Sequence, residues 1–404
     1  MTLLADRRGI PAYLVGGSVR DLVLGRITGD LDVTVEGDAA AYAKALAAHL
    51  GTRVTIHPQF GTATLRLPEG LRLDVATARR ELYSHPAVLP QVSPGAIEQD
   101  LSRRDFSINA MAIKLARRGG ELLDPFNGLQ DLKRGHLRVL HEGSYRDDPT
   151  RIFRGARYAA RYRLHFSLRD RGLIRAVLAD KVLRRLSSDR LLHEIKLTLS
   201  EAIPETALLV LQRLGILRTL DSTLILDART LARFRRVRRT WDRYERLAVS
   251  PKPLLWRVYL LVLLFSVPPR VRRRVGQRLG LKGPLLDLIM NDLDDFSRLE
   301  KKLEQPHMRP SRLRQTLDPA SADLHLFLWA SGTRRVKRRV EDYLINLASV
   351  KPALTGRDLR KLGFPPGPIY RRILDLLLEG RLEGRLRSRE EEITFIRQRF
   401  GRPV

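Results

Sequence analysis

The stretch Leu14-Val15-Gly16-Gly17-Ser18-Val19-Arg20-Asp21, followed nine residues on by Asp30-Leu31-Asp32, constrains the fold of this chain more than any other. The first piece reads as a strand, a glycine turn and the opening of a helix. The second begins the alternating run Asp30-Leu31-Asp32-Val33-Thr34-Val35, which reads as a strand. Strand side chains alternate between faces, so Asp30 and Asp32 point the same way, a few ångströms apart. Two such carboxylates repel unless a cation sits between them. Hard oxygen ligands suit Mg²⁺, usually held by one or two carboxylates together with substrate phosphates. The glycines let backbone N–H groups approach an anion at a helix N-terminus, and Arg20 adds a fixed cation for phosphate oxygens. Either piece alone is most often a plain turn or a solvated loop. Together, in strand–turn–helix–strand order, they imply a nucleoside triphosphate and metal-assisted nucleotidyl transfer.

Residues 1–140 mix elements. Helices at 3–8, from Ser18 and at Ala39–Leu50, with strands at Ala12–Val15, 53–56, 62–67 and 71–75, predict a small sheet backed by helices, an α+β arrangement. The segment 81–95, carrying Pro86, Pro90 and Pro94, is expected to be a mobile loop without regular structure. Beyond Asp147 the periodicity is helical: Ile152, Ala156, Ala159 and Ala160 recur at helical spacing, as do Leu191, Ile195 and Leu199. Breaks fall at Pro204, at 250–253, at Pro268-Pro269, at Gly283-Pro284 and at Pro319. An elongated stack of helices should follow the mixed N-terminal part.

No cysteine is present, which excludes disulfides and thiolate metal sites and makes a cytoplasmic protein the default expectation. No leader peptide is expected from the early charges of the N-terminus. The most apolar run, 258–269, is far shorter than the roughly 20 residues of a membrane helix and reads as a buried helix. The net charge of +29 is unevenly placed: residues 1–150 hold 19 basic and 18 acidic side chains, and residues 151–404 hold 55 and 27. That asymmetry suggests a polyanion held by the C-terminal two-thirds, although an arginine-rich composition alone would give a similar sum. The clusters Arg233/Arg235/Arg236/Arg238/Arg239, Arg270/Arg272/Arg273/Arg274 and Arg334/Arg335/Lys337/Arg338/Arg339 fall on predicted helices and could follow a phosphate backbone.

Two further stretches complete a pattern. One is Arg103-Arg104-Asp105-Phe106-Ser107-Ile108-Asn109-Ala110-Met111-Ala112. The other is Asp147-Asp148-Pro149-Thr150-Arg151-Ile152-Phe153-Arg154-Gly155-Ala156-Arg157, followed by Ser187-Ser188-Asp189-Arg190 and Glu194. With the Gly-Gly turn and the Asp-x-Asp, these resemble the bacterial and eukaryotic class of tRNA nucleotidyltransferases and their poly(A) polymerase relatives. The resemblance covers residues 14–194 in the family's motif order, weakens from about 200 to 350, and returns near Leu354 and Pro365-Pro366-Gly367-Pro368. It implies a catalytic head over 1–140, a helical neck with the nucleotide-selecting motif over 141–200, a helical body over 201–350 and a tRNA-binding tail over 351–404.

In these terms Asp30 and Asp32 are the expected catalytic metal ligands. A metal there would lower the pKa of a primer 3′-hydroxyl. Asp74, on a strand of the same sheet, is either a third carboxylate or the ion-pair partner of Arg72 or Arg79. Gly16, Gly17 and Arg20 would hold the triphosphate, as the resemblance implies, and Ser18 would add a hydroxyl or, more simply, cap the helix. The resemblance gives Arg104 and Asp105 to ribose and phosphate, braced by Asn109. Asp148, Arg151, Arg154 and Arg157 recur every third residue, which on a helix forms one slowly spiralling stripe. An aspartate accepts from an exocyclic amine and an arginine donates to ring acceptors, so the stripe can present a base-pairing edge made of protein. C and A offer an amine beside a ring acceptor; U and G offer a carbonyl. Where relatives usually carry Glu-Asp, this chain carries Asp147-Asp148.

The resemblance implies addition of CCA, or of its terminal A, to tRNA from CTP and ATP with Mg²⁺, and no obligate protein partner. CC addition, poly(A) synthesis, and a helical RNA-binding protein with an inactive head are the alternatives. The region from Arg79 to Leu101 is long enough for the flexible loop of the full CCA-adding and A-adding members. The histidines form no metal-binding or phosphohydrolase pattern, and no P-loop lysine motif is present.

Overall fold

Residues 1, 5, 9–26, 29–82, 91–116 and 120–401 are described by the structure, a computed structural model. They form two compact units, Met1–Thr219 and Leu220–Val404. The segments expected as head and neck both lie in the first. The helix expected at 3–8 falls largely outside the described residues.

The strands of the first unit are β1 (Ala12–Val15), β2 (Asp30–Val35), β3 (Val54–His57), β4 (Thr62–Arg66), β5 (Arg72–Thr77), β6 (Arg79–Leu82), β7 (Gln91–Pro94), β8 (Ala112–Lys114) and β9 (Leu122–Leu123), together with a short parallel pair, β10 (His136–Leu137) and β11 (His165–Phe166). Seven of them make one sheet in the order β3-β4-β5-β2-β1-β8-β9. Its central pair, β2 and β5, runs parallel, with Asp30 opposite Arg72 and Asp32 opposite Asp74. Helix α1 (Gly17–Val23) springs from the end of β1, and α2 (Ala39–Leu50) follows β2. The Asp38 carboxylate starts α2 by accepting from the amides of Ala40 and Ala41 at 2.8 and 3.1 Å. Tyr42, Ala43 and Leu46 of α2 are fully buried in one cluster with Val33, Leu65, Leu73 and Val75, each large aliphatic side chain contributing about 2 kcal/mol. Leu31 packs on that cluster while Asp30 and Asp32 stay exposed, so the strand alternation read from the sequence is the one the sheet uses.

The segment 81–95 is not wholly irregular, contrary to expectation. β6 and β7 pair antiparallel, Arg79 with Pro94 and Leu82 with Gln91; residues 83–90 lie outside the described ones. The prolines misled because Pro94 sits at the strand's end, where a missing N–H costs little. Helices then dominate: α3 (Ile97–Ser102), α4 (Gly128–Arg134), α5 (Ser144–Asp147), α6 (Thr150–Tyr162), α7 (Leu168–Ala179), α8 (Ser188–Leu199) and α9 (Pro204–Arg213). At Gly155 a Cβ would meet the rings of Phe166 and Phe106 at 2.6 and 2.8 Å, so only glycine lets α6 lie this close to them.

The second unit is helical throughout its described elements. Every residue from Val258 to Leu264 in the helix Leu255–Phe265 is buried, as the apolar run predicts. The prolines at 204, 269, 284 and 368 stand in the first turns of their helices, where a missing N–H is harmless. The three arginine clusters lie on the helices Ala228–Tyr244, Pro269–Arg278 and Arg334–Asp342. At the C-terminal end Leu354, Leu359, Phe364, Ile373, Leu377, Leu386 and Ile396 form a core of their own. Among the described residues no helix is long and apolar enough to cross a membrane.

Candidate active site

A cavity of about 730 Å³ opens in the first unit, where β2, the start of α1, the turn after α3 and the head of α6 meet. Of the residues singled out in the sequence, Gly17, Arg20, Asp32, Arg104, Asp105, Asp148, Arg151 and Arg154 line it; Gly16, Asp30, Asp74 and Arg157 do not. Seven arginines and five carboxylates share the wall.

Ser18 does not cap α1. Its Oγ accepts from the Asp32 amide at 2.8 Å, and it faces the Asp30 carbonyl at 3.4 Å, riveting the helix to the Asp-x-Asp strand. Asp32 is open to the cavity as a residue, yet the surrounding protein partly desolvates its carboxyl and pushes it above its usual range; Arg104 opposes this, while Asp74 and Asp30 add to it. A cation between these carboxylates would relieve that strain, which is the structural ground for a metal at Asp30 and Asp32. Asp74 is held by its neighbours: Thr64 donates to it at 2.6 Å and Arg72 pairs with it at 3.0 Å. Among the described residues no three acidic or imidazole groups converge as a ready-made metal cage.

Gly16 has φ +64°, and a Cβ there would lie 2.4 Å from Arg104 Nη1. The glycine thus allows a guanidinium to lie against the start of α1, whose first N–H groups an anion can approach. Arg104 is aimed by Asp100, wholly buried, which accepts its Nη2 at 2.7 Å and Arg103 Nη2 at 2.5 Å. Burial raises the Asp100 carboxyl, but Arg104 and Arg103 outweigh it and hold it below the ordinary range. Asp100 was not among the sequence candidates. Its i,i+3 and i,i+4 spacing to Arg103 and Arg104 was the available signal.

Arg20 is buried and uses four donors within the protein. It bonds Asp21 at 2.9 and 3.0 Å, Asn109 at 2.6 Å and the Tyr162 hydroxyl, and its guanidinium stacks 4.2 Å over the Tyr162 ring. Asn109 in turn donates to Asp105 at 2.9 Å, and Asp105 accepts Arg154 at 2.9 and 2.8 Å. Burial raises the Asp105 carboxyl, and Arg154 with Asn109 more than reverses it, so the acid stays ionised. Arg20–Asn109–Asp105–Arg154 is therefore one braced network in the cavity wall. Tyr158, another residue the sequence did not flag, lines the cavity beside it, edge-on to Phe106 at 5.9 Å.

The expected stripe is redirected. Asp148 is not on the helix: its backbone is extended and α6 begins two residues later. Arg151 donates to Ser144 Oγ and, at 2.9 Å, to the Arg103 carbonyl, joining α6 to α5 and to the turn after α3. Arg157 is buried against Glu194 of α8 at 2.6 Å. Arg190 of α8 reaches Asp148 at 2.7 Å. Residues 187–194 thus contact the 148–157 segment at both of its ends.

A family profile described as the poly A polymerase head domain matches residues 12–138. The A-adding tRNA nucleotidyltransferase of Halalkalibacterium halodurans is 32% identical, over 98% of this chain and 91% of that protein. The A-adding tRNA nucleotidyltransferase of Geobacter sulfurreducens is 36% identical over 96% of this chain, which spans only 45% of that longer protein. Among solved structures, one titled as the apo form II of a CCA-adding enzyme aligns with TM-score 0.79 at 29% identity, covering 98% of this chain and 93% of that one.

Proposed function

We propose that this chain, which belongs to the family of tRNA nucleotidyltransferases and poly(A) polymerases, adds CCA or its terminal A to the 3′ end of tRNA from CTP and ATP, without a template, releasing pyrophosphate. The observation that carries the reading is one cavity faced at once by Asp32, by the N-terminus of α1 at Gly17, by Arg104 and by the Asp148/Arg151 pair.

Asp30 and Asp32 would hold Mg²⁺, which when bound supplies activation of the primer hydroxyl and charge neutralisation on the triphosphate. The chain's own groups do the rest. The amides at Gly17 and the Arg104 edge hold phosphate oxygens, with Arg104 aimed by Asp100. Asp148 accepts from the exocyclic amine of the base and Arg151 donates to its ring acceptor or carbonyl. The Arg20–Asn109–Asp105–Arg154 network keeps both sets in register. The intact acidic pair and selecting motif argue against an inactive head.

Incorporation of labelled CTP or ATP into tRNA lacking all of CCA, lacking only A, and into generic RNA tests this. Product length separates CCA, A-only, CC-only and poly(A) addition. Labelling of none of the three substrates overturns the proposal.

A further inference from the structure

We propose that Thr150 and Arg190 are specificity-positioning residues, because they fix which oxygen of Asp148 faces the incoming base. The inference rests on the reading of Asp148 as acceptor for the exocyclic amine and adds how that acceptor is aimed.

Three donors converge on one oxygen of this carboxylate. The amide of Thr150 donates to Asp148 Oδ1 at 3.0 Å, the Thr150 hydroxyl at 2.6 Å and Arg190 Nη2 at 2.7 Å. Among the described residues these donors all meet Oδ1, and Asp148 lines the cavity. A carboxylate torsion is soft and nearly two-fold, so an unrestrained aspartate offers either oxygen over a wide arc. Pinning Oδ1 from its own helix start and from α8 removes that freedom. Asp148 thereby divides its labour: Oδ1 ties down the first amide of α6, and Oδ2 is presented to the base at a fixed angle. The Thr150 hydroxyl is buried, 6% exposed with its residue, so water does not replace it freely.

Thr150→Val keeps the shape and the amide but deletes the hydroxyl. The ratio of UTP to CTP incorporation, and of GTP to ATP, should rise roughly five-fold, the equivalent of one hydrogen bond. Thr150→Ser should restore the parent ratios, which a merely structural role for the methyl would not do. Arg190→Met removes the third donor without touching α6 and should move the ratios in the same direction, so the test survives if Thr150→Val does not fold. Asp148→Ala in parallel separates the two ideas. If it relaxes selection while Thr150→Val and Arg190→Met leave the ratios at the parent value, the positioning role is wrong and the reading of Asp148 stands. If Asp148→Ala itself leaves the ratios unchanged, the reading falls and the positioning role with it.

Discussion

Most arginines around the first unit's cavity face carboxylates, whereas several in the second unit face carbonyl groups. Arg103 and Arg104 meet at Asp100, Arg154 lies on Asp105, Arg157 on Glu194 and Arg190 on Asp148. In the second unit Arg272 donates to the Val267 and Phe265 carbonyls at 2.9 and 3.1 Å. Arg339 reaches those of Leu303, Gln305 and Pro306, and Arg314, which also pairs with Asp318 at 3.2 Å, those of Leu347 and Val350. These carbonyls lie at the ends of helices and in the turns that follow them, where a cation is favoured. A carboxylate cancels an arginine's charge, whereas a carbonyl orients it and leaves the charge standing. Ion pairs exist in the second unit too, Arg381–Glu392 among them, but residues 220–404 hold 40 basic and 21 acidic side chains. Full pairing would still leave nineteen cations. The first unit uses arginine to preorganise a site, and the second uses it to build a field.

The sharpest way to break that division is to remove chemistry without touching the field. Asp32→Ala, and separately Asp30→Ala, should lower nucleotide incorporation by at least about 10³-fold, with affinity for tRNA within two-fold of the parent in a gel-shift or anisotropy titration (a roughly two-fold margin allows for lost local charge). Retained Mg²⁺-dependent incorporation in both variants would sink the metal assignment. Loss of tRNA affinity would show instead that the field and the site are not separable.

The complementary measurement addresses the field. Affinity of the full chain for tRNA should fall by about 100-fold or more between 50 and 200 mM salt, the behaviour of a binder with many phosphate contacts. Flat affinity over that range would make the charge asymmetry a matter of composition alone.

The sequence disclosed the architecture where a local rule dominates and failed where a partner distant in the chain decides. The Asp30–Val35 alternation, the Ala39–Leu50 helix and the buried run at 258–264 depend on pattern within one element, and the structure follows them. The destinations of the arginines do not. Nothing local says that Arg154 turns to Asp105, 49 residues away, or that Arg190 reaches back 42 residues to Asp148. Nor does it say that Ser18 binds the backbone of β2 rather than capping its own helix. Arg272 and Arg339 read as parts of a phosphate-binding stripe and are partly occupied by carbonyls. Spacing shows that a cation is present, and only tertiary structure shows what it faces.

A smaller effect is expected at the selecting carboxylate. Asp148→Ala removes an acceptor worth on the order of 1–3 kcal/mol, so misincorporation of UTP and GTP relative to CTP and ATP should rise roughly ten- to a hundred-fold. Because Oδ1 also holds the Thr150 amide, the variant should lose about 1 kcal/mol of stability as α6 frays at its start. Equal slowing with every nucleotide, and unchanged ratios, would make Asp148 a helix-start residue only.

The smallest effect separates the buried acids of the two units by pH. Asp105 is held down by Arg154 and Asn109 once burial is overcome; its stabilising contribution is present above the unfolded carboxylate range and is lost as pH falls through the lower folded value. Asp292 in the second unit behaves oppositely. Burial pushes it up to about 6, the Ser321 hydroxyl at 2.8 Å opposes this only in part, and Asp323 and Asp295 add to the rise. The native state therefore binds the proton more tightly than the unfolded chain, and stability falls as pH rises from about 4 to about 6, then levels. Asp292→Asn cannot ionise and can still accept from Ser321. Relative to the parent it should gain on the order of 1 kcal/mol at pH 8, with the gain shrinking through the window to little at pH 4, read as a shift in urea midpoint. An equal shift at both values would mean that packing, and not an uncompensated carboxylate, sets the cost. The contrast with Asp105 would then rest on the first unit alone.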